Sequence, residues 1–265
     1  MEAAEVDAFV RDGFVAVRGA VPDDVAAACA DLLWEEIGYD RADPTTWTEP
    51  VRWVPGKGEE PFAAAANTPA LVDAFDALVG PGRWVPRTGL GSFPLRFPHE
   101  QEPDDAGWHV DASFPADGAG GDFLRWRVDM TSRGRALLLL FLFSEVGDAD
   151  APTRIRVGSH LDVPAVLAPF AEAGIAMVDL APRVDAASRS RPVALATGRA
   201  GDVFVCHPFV VHAAQPHHGT RPRFLAQPGL EPAVALDPFR APAELSPVER
   251  AIREGLDAAR AAPRP

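Results

Sequence analysis

Apolar and polar residues follow two different periods along the chain, and the change falls near residue 90. In the first part, a helical period of about 3.6 residues predicts helices over residues 5–11, 22–37 and 69–79. A compact apolar run predicts a strand at Phe14–Val17. Residues 40–60 carry Trp47 and Trp53 but show no period. We expect this stretch to be a loop that covers the core or forms a lid.

Beyond residue 90, short apolar runs broken by Gly and Pro predict a series of strands. One helical insert is expected at residues 163–173 and a C-terminal helix at 246–260. The strands are expected at residues 92–97, 108–113, 124–130, 135–146, 153–157, 193–195, 202–206, 210–213 and 223–227. This pattern predicts a mainly β fold with flanking helices, a sandwich or barrel such as a jelly roll. We expect a cupin-like, double-stranded β-helix barrel.

We predict a single domain over residues 1–265, because no convincing linker divides the chain. Within it we distinguish a mostly helical part at 1–89, the jelly-roll core at 90–230, and a tail with a helix at 231–265. The longest strongly apolar run, residues 136–143, is far too short to span a membrane, and the N-terminus does not resemble a signal peptide. We expect a cytoplasmic protein, monomeric or homodimeric.

The charge balance narrows the range of partners. The chain has 25 basic and 38 acidic residues, a net charge of −13. This balance argues against nucleic acid or an anionic membrane as the main partner. We expect the partner to be a small-molecule substrate. Cys29 and Cys206 lie far apart in apolar contexts, so neither a disulfide framework nor a cysteine metal site is indicated.

The segment Trp108-His109-Val110-Asp111 is the first sign of chemistry. In an extended segment, side chains two residues apart point to the same side, so His109 and Asp111 can offer a nitrogen and an oxygen to one ion. That is two thirds of the 2-His-1-carboxylate triad of non-haem iron enzymes. Without a second histidine, a surface His and Asp would be the better interpretation.

Two histidines further along the chain are candidates for the third ligand. His207 and His212 lie in one segment, and Pro208 interrupts the strand between them. The alternation of side chains along a strand therefore does not decide which of the two histidines faces the metal site. Downstream, Arg223 begins a predicted strand. An inward arginine there suits a carboxylate, because its planar guanidinium can bind both oxygens.

These motifs together resemble the phytanoyl-CoA dioxygenase family of Fe(II)- and 2-oxoglutarate-dependent oxygenases. The layout is W-H-x-D, then G-D-V-x-x-x-H-P-x-x-x-H, then an arginine eleven residues later, and it spans roughly residues 90–228. The resemblance implies that His109, Asp111 and His212 bind iron and that Arg223 pairs with the distal carboxylate of 2-oxoglutarate. The spacing to the arginine favours His212 over His207, which then has a structural role.

The resemblance also implies a reaction: hydroxylation of a small organic molecule or acyl derivative by Fe(II), 2-oxoglutarate and O2, with release of succinate and CO2. Related halogenases replace the carboxylate ligand by a small residue, so Asp111 favours oxygen transfer. Two positions depart from the family pattern. Ala214 stands where a serine is usual and His217 where an asparagine is usual, so a hydroxyl expected beside the cosubstrate is missing.

Other residues have two interpretations each. Arg96 either assists cosubstrate binding or forms a structural salt bridge. The aromatic side chains of Trp108, Phe114 and Trp126 either line the substrate pocket or pack in the core. Two alternatives to the oxygenase also remain: a cupin-like isomerase or dioxygenase that does not use 2-oxoglutarate, and a non-catalytic binding barrel. The first would not need Arg223.

Overall fold

The computed structural model describes residues 1–116 and 122–261, and local capping signals explain where several of its helices begin and end. Helix α1 ends at Gly13, whose φ of 88° lies in the left-handed region that glycine adopts without strain. Thr68 caps α4 by accepting the N–H of Leu71. Ser246 and Glu249 exchange hydrogen bonds at the start of α7. The helices are α1 (Ala3–Asp12), α2 (Asp23–Ile37), α3 (Glu60–Ala66), α4 (Pro69–Leu78), α5 (Val163–Leu167), α6 (Met177–Ala187) and α7 (Pro247–Ala261).

The strands form antiparallel pairs. Their bounds are β1 (Phe14–Val17), β2 (Val51–Val54), β3 (Phe93–Arg96), β4 (Arg127–Val128), β5 (Leu137–Leu142), β6 (Arg154–Arg156), β7 (Ile175–Ala176), β8 (Val193–Leu195), β9 (Val203–Cys206), β10 (His212–Ala213), β11 (Leu225–Ala226) and β12 (Gly229–Leu230). A larger sheet has the order β1-β9-β5-β11, with β12 also paired to β5, and a smaller sheet has the order β10-β6-β8. Strands β2 and β3 pair with each other, as do β4 and β7.

Strand β5 lies at the centre of the core and is buried at every position. Alternate residues of a strand face opposite sides. Leu137, Leu139 and Phe141 belong to the apolar cluster shared with helices α1, α2, α4 and α7. Leu138, Leu140 and Leu142 belong to a second cluster that includes Ile155 of β6. The larger sheet therefore has helices on one face and the smaller sheet on the other.

The predicted helices at 5–11, 22–37, 69–79 and 246–260 and the strand at Phe14–Val17 are confirmed. The fold is mixed rather than mainly β, because about 36% of the described residues are helical and 18% are in strands. Two helices were not predicted, α3 and α6. The second contains Pro182, a residue that normally argues against a helix interior.

Three stretches differ from the prediction in the strands. Residues 40–60 are not a plain loop, since they contain β2, which pairs with β3. Residues 108–113 do not form a regular strand, although a bridge at His109 and a hydrogen bond from the Ser113 N–H to the Arg127 carbonyl join them to neighbouring segments. The stretch 124–130 begins in a 3-10 helix, Phe123–Arg125, and only β4 is extended.

The N-terminal part contributes directly to the sheets, since β1 pairs with β9 and β2 with β3. The last residues of the predicted tail, 262–265, lie outside the described residues. Within the described residues, no helix combines the length and apolar character needed to cross a membrane.

Candidate metal centre and adjoining cavity

Two predicted metal ligands, His109 and His212, lie directly opposite each other on neighbouring extended segments. Their backbones exchange two hydrogen bonds, each 3.0 Å between nitrogen and oxygen. Directly opposed residues of an antiparallel pair present their side chains on the same face. Asp111 follows His109 by two residues and joins the same side. The backbone pairing thus brings together three ligands that span about a hundred residues of sequence.

The three side chains point their donor atoms at a common space. One ligand atom from each of His109, Asp111 and His212 can be chosen so that all lie within 4.8 Å of one another. Oδ1 of Asp111 lies 3.5 Å from Nε2 of His109 and 3.6 Å from Nε2 of His212. These separations suit a single ion of the 2-His-1-carboxylate type.

Hydrogen bonds to the backbone hold both imidazole rings with Nε2 facing the ion site. Nδ1 of His109 donates to the carbonyl of Gly107 at 2.8 Å, and Nδ1 of His212 donates to that of Val210 at 3.2 Å. With the proton on Nδ1, Nε2 of each neutral ring carries the lone pair that a metal needs. The residues present therefore fit a divalent cation.

The ionisation of the site also favours a cation. Burial opposes the charged form of Asp111, but the charge of Arg135 and the contacts with the two histidines hold its pKa well below the usual range. Burial likewise opposes protonation of His109, yet the contact with Asp111 raises its pKa overall. At neutral pH the carboxylate is ionised and ready to bind metal.

Two buried arginines lie next to this site and are paired in the same way. Arg96 and Arg223 exchange backbone hydrogen bonds of 2.9 and 2.8 Å, which joins the end of β3 to the segment before β11. Their exposed fractions are 2% and 1%. Arg223 donates to the carbonyls of Ala151 and Pro94, at 2.8 and 3.1 Å, and Arg96 forms a salt bridge with Asp105.

The arginine pair has unused binding capacity. Nε and Nη1 of Arg96 and Nε of Arg223 are buried without a hydrogen-bond partner among the described residues. Buried donors without acceptors are costly, so an acceptor is expected there. Two cations, Arg96 and Arg223, face one carboxylate, Asp105. Burial lowers the pKa of Arg223 well below its usual value, the charge of Arg96 lowers it further, and Asp105 opposes this shift. The pair fits an anionic group.

A cavity of about 410 Å³ connects the metal ligands with the arginine pair. Trp108 lines it, and two arginines, Arg154 and Arg156, lie over the indole ring with guanidinium carbons 4.9 and 4.2 Å from its centroid. Phe114 and Trp126 are not among the described residues that line this cavity. The guanidinium of Arg133 instead covers the ring of Phe114, and Trp126 lies 5.2 Å from Phe123, centroid to centroid.

The mouth of the cavity is apolar and includes Phe123 and Leu124, which the sequence patterns did not single out. Trp53, on β2, is 55% exposed and lines the cavity together with Phe123 and Leu124. Trp47 is buried in the core instead. Of the two tryptophans in residues 40–60, one therefore lies at the cavity mouth and one supports the core.

Thr153 offers the cavity a hydroxyl group, which Ala214 lacks. Ala214 lines the cavity, and Thr153 lines it as well, with Oγ1 3.5 Å from Nη1 of Arg223. His217, the other departure, accepts the N–H of Gly219 and donates to the carbonyl of Arg221, so it fixes a turn.

His207 lies in the core, away from the cavity lining. Its Nδ1 accepts the N–H of Phe209 at 3.1 Å and its Nε2 donates to the carbonyl of Val248 at 3.2 Å. Its ring lies beside that of His160, with 4.8 Å between the ring centroids and a tilt of 50° between the planes. Both ring nitrogens are engaged with the backbone, which agrees with the choice of His212 as third ligand.

Sequence reasoning missed Asp105, which pairs with Arg96, and Arg135, whose Nη1 lies 3.2 Å from Oδ2 of Asp111. Asp105 follows a run of acidic and proline residues without period, so nothing locally distinguished it. Arg135 follows Gly134 at the entrance to an apolar strand, where a charged residue about to be buried was the one available signal.

Comparisons with known proteins agree with this geometry. The epimerase SnoN in complex with Fe3+, α-ketoglutarate and nogalamycin RO is 19% identical, with 88% of this chain and 84% of that chain covered and a TM-score of 0.58. HygX from Streptomyces hygroscopicus, with nickel and 2-oxoglutarate bound, is 18% identical over 88% of each chain, with a TM-score of 0.57. GIG2 from Candida albicans is 12% identical, covering 100% and 83%, with a TM-score of 0.58. These likenesses show a shared fold.

No curated protein sequence matches the chain significantly. A sequence model described as phytanoyl-CoA dioxygenase (PhyH) matches residues 9–225, which include the metal ligands and both arginines of the pair. The match covers most of the chain, and the chain belongs to the phytanoyl-CoA dioxygenase family.

Proposed function

We propose that this protein is an Fe(II)- and 2-oxoglutarate-dependent oxygenase that hydroxylates a small organic molecule. One observation carries the proposal: a metal triad and a pair of buried, partly unsatisfied arginines line the same 410 Å³ cavity. A metal site alone would suit many reactions. The arginine pair adds a place for an anion, which an enzyme using a dicarboxylate cosubstrate requires.

Three residues would hold the metal, each through one ligand atom. His109 and His212 would bind through Nε2, because Nδ1 of each ring carries the proton that it donates to the backbone, and Asp111 would bind through its carboxylate. Iron, 2-oxoglutarate and O2 together supply the oxidising chemistry, and the overall reaction converts R–H, 2-oxoglutarate and O2 into R–OH, succinate and CO2. The protein positions the reactants and limits the access of water.

Arg223 pairs with the distal carboxylate of 2-oxoglutarate, and Arg96 assists it. Each arginine is nearly inaccessible to water, where a charge pair is stronger than in solution. Asp105 neutralises only one of the two cations. Thr153 supplies the hydroxyl that Ala214 lacks. This arrangement argues against a cupin-like enzyme without 2-oxoglutarate, which would have no use for the pair, and against a non-catalytic barrel.

We assign the two facing sheets to a double-stranded β-helix, the jelly roll of the cupin-like barrels. Support comes from the antiparallel pairing throughout both sheets and from the apolar cluster between them. The bridges at His109 and Arg96 would then close the sheet edges around the cavity.

Asp111 favours hydroxylation over halogenation, because a carboxylate ligand occupies the place that a halide would need. Stereochemical inversion is a second candidate for the outcome, since SnoN, which shares the fold, is an epimerase. Both reactions would use the same ligands and cosubstrate, and they differ in whether oxygen enters the product.

An anaerobic titration tests the proposal. Addition of Fe(II) and 2-oxoglutarate is expected to give a weak visible charge-transfer band, which is lost in His109→Ala and weakened in Arg223→Ala. Arg221→Ala is the matched control, because this arginine lies two residues away and its side chain is 53% exposed. With a substrate in hand, label from 18O2 in the product distinguishes hydroxylation from epimerisation. A colourless mixture with full iron occupancy contradicts the proposal.

A further inference from the structure

A second cavity, of about 440 Å³, adjoins the first on the other side of a shared boundary. Four residues line both cavities: Trp53, Asp111, Phe123 and Gln227. The second cavity therefore reaches the metal ligand Asp111 without including the arginine pair of the cosubstrate. We call it the Arg135 lobe, after the cation that lines it, with Gly91, Ser92 and Gly229 completing its described lining.

Arg135 is buried in this lobe, with an exposed fraction of 9%. Its Nη2 donates to the carbonyl of Ala112 at 3.2 Å. Its Nη1 lies 3.2 Å from Oδ2 of Asp111 as an ion pair, outside hydrogen-bond geometry. Nε and Nη1 therefore have no hydrogen-bond partner within the described part of the chain. A buried guanidinium with free donors is a site for an acceptor.

Hydrogen bonds fix the backbone of Arg135, and Gly229 leaves room for its guanidinium group. Arg135 N–H donates to the carbonyl of Ser132, and the Ser132 hydroxyl donates to the carbonyl of Arg135 at 2.7 Å. On the other side, a Cβ at Gly229 would lie 2.9 Å from Nη1 of Arg135, so a glycine leaves the space that the guanidinium occupies. The side chain is thus positioned before any ligand arrives.

Charge decides what kind of ligand fits. Asp111 and Arg135 are the charged residues of the described lining. When the metal is bound, its positive charge neutralises the carboxylate of Asp111. A second cation lies behind Gly229, since Arg87 donates to the Gly229 carbonyl, and burial together with the charge of Arg135 lowers the pKa of Arg87. In the holoenzyme the lobe is left with a net positive charge.

We propose that the Arg135 lobe binds the substrate and that the substrate is a monocarboxylic acid, a proposal that rests on the proposed function above. Its carboxylate pairs with Arg135, and the side-chain amide of Gln227, which lines both cavities, offers a further donor at the boundary. The apolar remainder of the acid lies against Trp53 and Phe123. Because Arg135 contacts a metal ligand, an acid held there is beside the metal.

Calorimetry on the protein loaded with Ni(II) and 2-oxoglutarate tests this assignment without turnover. The probes are phenylacetate, cinnamate, hexanoate and decanoate, each paired with its primary amide. At least one acid is expected to bind at least about tenfold more tightly than its amide, the size of a charge-assisted hydrogen bond. In Arg135→Gln the ratio is expected to fall towards one, and Arg135→Lys is expected to restore part of it.

Two further variants separate a binding role from a structural one. Gly229→Ala keeps every charge but displaces the guanidinium, so it is expected to reduce the acid preference, and it carries the test if Arg135→Gln does not fold. Arg133→Gln is the control, since this arginine is 56% exposed and should leave the ratio unchanged. Binding of Ni(II) and 2-oxoglutarate is measured first in each protein.

The outcomes distinguish this inference from the proposed function. If the wild-type protein does not bind 2-oxoglutarate with the metal, the proposed function fails. If it binds both, but no acid on the panel is preferred over its amide, or Arg135→Gln keeps the preference, the inference about the Arg135 lobe is overturned.

Discussion

His160 should make the fold sensitive to mild acid. The side chain is fully buried, and its Nε2 donates to the carbonyl of Val10 at 3.0 Å, while Nδ1 has no partner among the described residues. The ring lies 4.8 Å from that of His207, so a second neutral imidazole borders it. Burial lowers the pKa of His160 to about 4. Protonating the ring in the folded protein is therefore unfavourable.

The magnitude follows from the difference between the folded and unfolded pKa values. An unfolded histidine has a pKa of about 6.5, so below this value the unfolded chain binds the proton more readily than the native protein. Stability from the neutral ring is fully present above pH 6.5 and is lost as the pH falls towards 4. At about 1.4 kcal/mol per pKa unit, the full loss is roughly 3 kcal/mol, with about 2 kcal/mol already lost at pH 5.

Urea unfolding of the metal-free protein, followed by tryptophan fluorescence between pH 8 and pH 5, measures this loss. His160→Gln replaces the ring by an amide that can still donate to Val10 but does not titrate. The variant is expected to lose about 2 kcal/mol less free energy of unfolding than the wild-type protein over this range. His218→Gln, an exposed histidine, is the control. Parallel pH profiles for wild type and His160→Gln would refute the reasoning.

Three further predictions concern the proposed cosubstrate site and Gly13, which lies against His160. Arg223→Lys should raise the Kd of 2-oxoglutarate by at least about tenfold, because Lys lacks the planar guanidinium; calorimetry with Ni(II) measures it, and an unchanged Kd contradicts the assigned role. Thr153→Val should raise the same Kd by about threefold or more through loss of a hydroxyl, and Ala214→Ser in that background should recover part of it. Gly13→Ala should lower the free energy of unfolding by about 1–3 kcal/mol, because φ is +88° and the new Cβ would lie 2.5 Å from Nδ1 of His160. Urea unfolding measures this loss. A loss smaller than this range would show that the ring of His160 moves aside.

The parts of the fold that local signals specify were predictable from the sequence. Helix α1 ends at Gly13, and α4 begins at Thr68 followed by Pro69. The pairing of His109 with Asp111 also follows from their spacing alone. The choice of His212 over His207 depended on resemblance to a family, because Pro208 removed the strand parity that would otherwise decide it.

The parts that depend on distant partners were not predictable. Strand β2 lies in a stretch without apolar period, and it is extended because β3, some forty residues later, pairs with it. Helix α6 forms despite Pro182. The role of Arg135 depends on Asp111 and Gly229, which only the fold brings next to it. Charged residues on the borders of apolar strands gain their meaning from tertiary neighbours.

The backbone bridges at His109–His212 and Arg96–Arg223 have a consequence for how this enzyme could diversify. Each bridge is made of main-chain hydrogen bonds, so the spacing of the metal ligands and of the arginine pair does not depend on which side chains surround them. The cavity mouth is different, because Trp53, Phe123 and Leu124 come from a short edge strand and a 3-10 helix. The residues proposed for the reaction and the residues at the cavity mouth therefore belong to different parts of the fold. Substitutions confined to the mouth residues offer a route to new substrates while the reaction stays the same.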